Sequence, residues 1–109
     1  MLTYKQKSDW LVTNQGRITK VQKEIKSLEE LIAQVEIARE CLDHNFHRDL
    51  QKFTGNPDEY NAFFEQHEAD IVRCADILDE KISKLHRLES LFTKLRNHEK
   101  VIFALPHTW

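Results

Sequence analysis

The stretch Phe53-Thr54-Gly55-Asn56-Pro57-Asp58-Glu59 decides how this chain is read. Gly55 supplies a helix stop and Pro57 suits the first turn of a new helix. Asn56 is placed as its N-cap, and Asp58 and Glu59 bring the negative charge that a helix N-terminus favours. Nothing comparable interrupts the sequence from Ile18 to Phe53 or from Asp58 to Leu105, so each stretch predicts one long helix. The 36 residues of the first would span roughly 54 Å.

Working outward, the apolar spacing supports the same division. Ile18, Val21, Ile25, Leu28, Ile32, Val35, Arg39, Leu42 and Phe46 are separated by alternating steps of three and four. Phe64, His67, Ile71, Cys74, Leu78, Lys81, Leu85, Leu88, Phe92 and Leu95 repeat the pattern. A repeat held this long is the heptad signature of coiled-coil packing. The connector 54–57 is short enough to fold the second helix back on the first. The expected fold is all-α: a long antiparallel helical hairpin, coiled-coil-like, in a single domain spanning 1–109. Its parts are an N-terminal segment (1–16), a long helix (17–53), a turn (54–57), a second long helix (58–105) and a tail (106–109).

Two helices alone bury little, and the apolar stripe is wider than one seam. Phe63, Ile77 and Leu91 flank it on one side of the second helix, with Ala75, Ile82 and Phe103 on the other; the first helix adds Leu31 and Ala38. A stripe of that width belongs to a bundle of three or four helices. The missing helix comes either from the N-terminal segment, with Leu2, Tyr4, Trp10 and Leu11, or from a second copy of the chain in a homodimer. Tyr4 and Leu11 continue the register across Gly16, so the first helix is also able to run unbroken, at about 1 kcal/mol for one interior glycine. A Trp-bearing first helix followed by two long ones resembles a spectrin-type repeat in architecture, without a diagnostic motif.

Composition excludes much else. Two glycines and two prolines are too few for sandwiches, barrels or doubly wound sheets, which turn about every 8–12 residues. With 40% hydrophobic residues and a net charge of −2, the chain does not read as disordered. No apolar run approaches the roughly 20 residues of a membrane span, and the opening residues do not read as a signal peptide. The expected class is a soluble, cytoplasmic helical protein with no membrane partner.

Charge is segregated along the chain. Residues 1–28 carry six basic and two acidic side chains, residues 29–80 four and fourteen, and residues 81–109 six and two. A hairpin would gather both basic segments at its open end and the acidic one around the turn. Such a field either is plain solvation or steers an oppositely charged partner.

Chemistry-bearing residues do not converge in this register. His44 and His47 fall on the outer face, whereas His67, near Asp70, points inward, so no metal site is expected. Cys41 reads as an outer thiol and Cys74 as a small seam residue, both reduced. Gly16 and Gly55 are isolated and cradle no phosphate. No catalytic, cofactor or metal residue is assigned, and no enzyme is expected.

The expected function is a non-enzymatic protein–protein interaction module: an adaptor, a chaperone-like protein or an inhibitor. Its candidate partner-binding residues are Trp10, Leu31, Phe63, Ile77, Ile82, Leu91, Phe103 and Trp109. One alternative is a mimic of nucleic acid, through Glu36, Glu40, Asp43, Glu65, Asp70 and Asp76. A nucleic-acid binder would instead use Trp10, Phe103 and Trp109 beside Lys5, Lys7, Arg17 and Lys100, but an isoelectric point near 6.3 argues against it. A metal-binding bundle is the second alternative. The apolar run 101–105, stopped by Pro106 and followed by the terminal Trp109, reads as a lid over the open end or an exposed anchor.

Overall fold

The computed structural model describes residues 1–52 and 56–109. Four elements follow in order: β1 (Leu2–Thr3), α1 (Tyr4–Leu50), α2 (Pro57–Ala104) and β2 (His107–Thr108). Two helices of 47 and 48 residues thus carry the chain, consistent with a helical hairpin. No helix among the described residues is long and apolar enough to cross a membrane.

Each helix end has a local cause. At the start of α1, Thr3 Oγ1 accepts from the Gln6 backbone N–H at 3.1 Å, and Gln6 Oε1 accepts from the Thr3 N–H at 2.9 Å. This reciprocal capping box satisfies two donors at once. At the start of α2, Asn56 Oδ1 accepts from the Asp58 and Glu59 N–H groups at 3.0 and 3.4 Å. Asn56 is therefore the N-cap that the sequence indicates, with Pro57 as the first helical residue. The helix stop assigned to Gly55, and the rest of 53–55, lie outside the described residues.

The boundaries differ from expectation at the N-terminus. The helix expected at 17–53 starts at Tyr4, crosses Gly16 without a break and ends at Leu50. A Cβ placed on Gly16 meets nothing within 4 Å, so the glycine sits on an open outer face and interrupts no packing. Residues 1–16 are consequently not a separate element, and they supply no third helix of the spectrin type. The second helix runs 57–104 instead of 58–105.

The chain divides into two compact units. Unit 1 comprises Met1–Leu28 and Lys84–Trp109. Ile18, Val21, Leu28 and Ile102 are buried in it together with Asn14. Its half-buried residues Ile25, Leu85, Leu88, Phe92 and Leu95 keep the three-four spacing. Ile102 extends that spacing beyond Leu95, so the seam runs farther along α2 than expected. In the same unit β1 pairs with β2 in parallel, Leu2 opposite His107 and Thr3 opposite Thr108. The tail thus returns to the first residues of the chain, a strand pairing that the helical composition does not announce.

Unit 2 comprises Glu29–Ser83. Leu78 is its buried apolar residue among those described, and Ile32, Val35, Leu42, Phe46, Ile71 and Cys74 are half-buried. Phe63, expected as a flank, takes the inward place: its ring stacks on Phe46 at 5.2 Å, 10° from parallel. Phe64, expected in the seam, is exposed and meets Phe46 edge-on at 6.0 Å. Arg39 occupies a seam position by spacing but is exposed. A long polar side chain reaches water from such a position without burying its charge.

Candidate interaction surface

The eight residues singled out from the sequence fall into both units. In unit 1, Trp10, Leu91, Phe103 and Trp109 are exposed, Phe103 at 70% and Trp109 at 92%. In unit 2, Leu31 is exposed, while Phe63, Ile77 and Ile82 are half-buried. Within unit 1 they do not form one patch. Trp10 borders an apolar hollow with Met1, Leu2, Leu105 and Pro106, whereas Phe103 borders another with Leu11 and Val12. Trp109 stacks on Tyr4 at 4.6 Å and meets the His107 ring edge-on at 5.2 Å. The tail therefore packs on the N-terminal residues through Tyr4 while leaving most of the indole in water.

Two polar residues organise unit 1: Lys7, expected only as one charge of a basic end, and Asn14, to which the sequence assigned no role. Lys7 Nζ donates to the Phe103 carbonyl at 2.8 Å and the Leu105 carbonyl at 3.0 Å, and lies 5.6 Å over the Phe103 ring. The last turn of α2 contains no basic residue. Lys7 supplies from α1 the positive charge that a helix C-terminus favours. Asn14 is 2% exposed; its Nδ2 donates to the Leu95 carbonyl at 3.0 Å, and its Oδ1 is buried without a partner among the described residues. The signal for both was present: Tyr4, Lys7, Leu11, Asn14 and Ile18 alternate steps of three and four. Extending the register toward the N-terminus through Tyr4 and Leu11 alone passes over Lys7 and Asn14.

In unit 2, His67 is turned inward as its spacing indicates. Its ring stacks on Phe46 at 4.0 Å, and Nε2 lies 3.2 Å from Asp43 Oδ1. His44 and His47 are exposed, and Asp70 accepts from Gln66 Nε2 at 3.0 Å. Among the described residues no group of three or more His, Cys, Asp or Glu converges to hold a metal ion. Cys41 is exposed and Cys74 half-buried, and both are free thiols. The Asp49 carboxyl is held below the ordinary aspartate value, first by its hydrogen bond from Arg48 and further by the charges of Arg48 and Lys52.

Charge follows the two units. Unit 1 carries eleven basic and four acidic side chains; unit 2 carries five basic and fourteen acidic. The ion pairs among the described residues join positions one or three apart, His67–Asp43 excepted. Most of this charge is consequently left to solvent or to a partner.

The chain combines two long helices with exposed apolar side chains and units of opposite charge. No protein-family model matches it, and neither does any curated protein or solved structure.

Proposed function

We propose that this protein is a non-enzymatic helical interaction module, an antiparallel coiled-coil-like hairpin acting as an adaptor, chaperone-like protein or inhibitor in the cytoplasm. The observation that carries this reading is the amount of surface left uncovered. The chain exposes 8295 Å², whereas a folded monomer of 13.0 kDa exposes about 6,300 Å². Among the described residues five apolar ones are buried, while thirteen large ones are exposed, among them Trp10, Leu31, Phe64, Val72, Leu91 and Phe103. Apolar surface of that extent favours association, and long helices offer the i, i+3, i+4 anchors that helix partners read.

The test places a photoreactive phenylalanine analogue at Phe103 and, separately, at Leu31, in the native host. Crosslinks to a defined protein, a second copy of the chain included, at either position support the reading. If both positions yield only uncrosslinked chain, it fails. A second reading, favoured by the fourteen acidic side chains of unit 2, is an inhibitor that imitates nucleic-acid phosphates. It expects a nucleic-acid-binding partner, lost when Glu36 and Glu40 are changed to Lys and kept when Lys20, Lys23 and Lys26 are changed to Glu.

A further inference from the structure

We propose that the occupant of this surface is a second copy of the chain, bound so that unit 1 of each copy lies on unit 2 of the other. The inference rests on the interaction reading above and names its partner. It starts from a coincidence of two boundaries. Compactness divides the chain between Leu28 and Glu29 and again between Ser83 and Lys84. The charge changes sign at the first of these boundaries and, between Glu80 and Lys81, within three residues of the second. Each compact unit is therefore also a unit of one charge, +7 for unit 1 and −9 for unit 2.

A partner of single sign is attracted by one unit and repelled by the other. A second copy related by a two-fold axis meets both with the opposite sign, because an isologous interface uses each contact twice. The charges needed for this are at hand. Lys20, Lys23 and Lys26 in unit 1, and Glu29, Glu36 and Glu40 in unit 2, are exposed and form no ion pair among the described residues.

Apolar area points the same way. Both units expose large side chains, Trp10, Leu91 and Phe103 in one and Leu31, Ile37 and Val72 in the other. The total surface, polar and apolar together, exceeds that of a monomer of this mass by about 2,000 Å². A standard interface removes about 800 Å² from each partner, and obligate dimers remove more. An interface of standard size thus covers under half of that surplus on each chain, and one of obligate size covers most of it.

The experiment is a charge swap on the full chain, read by light scattering across a concentration series at low salt. Circular dichroism confirms helix content in every variant. The wild type is expected at twice 13.0 kDa, shifting toward monomer as salt rises. One variant carries Lys20→Glu, Lys23→Glu and Lys26→Glu; the other carries Glu29→Lys, Glu36→Lys and Glu40→Lys. Each alone is expected to dissociate at least about tenfold more readily than the wild type. An equimolar mixture of the two is expected to recover dimer mass, because the reversed patches are complementary again. A wild type that stays monomeric overturns the proposal, as does a mixture that associates no better than its components. A monomer that still crosslinks to another protein through Phe103 or Leu31 overturns self-pairing and leaves the interaction reading standing; a monomer with no crosslink overturns both.

Discussion

The side-chain amide of Asn14 donates to the backbone carbonyl of Leu95 at 3.0 Å from within the apolar seam of unit 1. The bond ties α1 to α2 at one register, since a shift of either helix by one turn would separate the two groups. It leaves the other end of the amide, Oδ1, buried and unpaired. A buried polar residue of this kind fixes alignment at a cost in stability. Asn14→Leu is expected to raise the unfolding free energy by about 1 kcal/mol, seen as a higher urea midpoint. A lower midpoint would mean that the hydrogen bond outweighs the buried Oδ1.

Lys7 holds the end of α2 and the tail together through two carbonyls. Lys7→Met keeps most of the aliphatic length and removes the charge and the donors. It is expected to cost about 1 kcal/mol, the scale of a charge at a helix terminus. The loss should be local: amide exchange accelerates at Leu2, Thr3, Leu105, His107 and Thr108, where the β1–β2 pairing and the Tyr4–Trp109 stack hold the chain in place. Unchanged exchange there would show that the pairing stands without Lys7.

Gly16 lies inside α1 with open space where a Cβ would be. Gly16→Ala is expected to stabilise the chain by about 0.5–1 kcal/mol, because alanine loses less backbone freedom on entering a helix. For a domain of this size that raises the melting temperature by roughly 2–6 °C. A lower melting temperature would place a neighbour against that face in the assembled protein.

Asp49 titrates below an ordinary aspartate, owing first to the hydrogen bond from Arg48. A depressed carboxyl pKa contributes stability that is complete above the unfolded-state value and is lost as pH falls through the folded-state value. Solvent access at this position keeps the contribution small. A carbon-detected NMR titration should show Asp49 protonating at lower pH than an aspartate in an unstructured peptide, with the difference narrowing in high salt. Asp49→Asn should lower the thermal midpoint only slightly at neutral pH, and not at all once the pH is below the folded-state value.

Much of the architecture was legible in the sequence because helices are local. A three-four spacing of apolar residues sets the buried face of each helix without reference to its partner, and the inward turn of His67 followed from it. Asn56 started α2 by accepting from its first N–H groups, and Pro57 brings no N–H that would need a partner. Thr3 and Gln6 cap α1 in the same local way, and Tyr4 and Leu11 carry its register across Gly16, so its early start was written in the sequence as well.

Packing settles the residues whose choice is nearly degenerate locally or whose partner is remote in sequence. Phe63 and Phe64 are adjacent, and either suits a broad apolar stripe; the stack on Phe46 selects Phe63. Lys7 and Asn14 are polar and carry no apolar signal, yet each occupies a seam position because a carbonyl about 80–100 residues away accepts its donor. Leu2–Thr3 and His107–Thr108 are too short to register as strands, and they pair because the helix ends bring them together. Sequence periodicity reports which face of a helix is buried. The particular atoms that meet across that face depend on how two such faces are aligned, which no single segment contains.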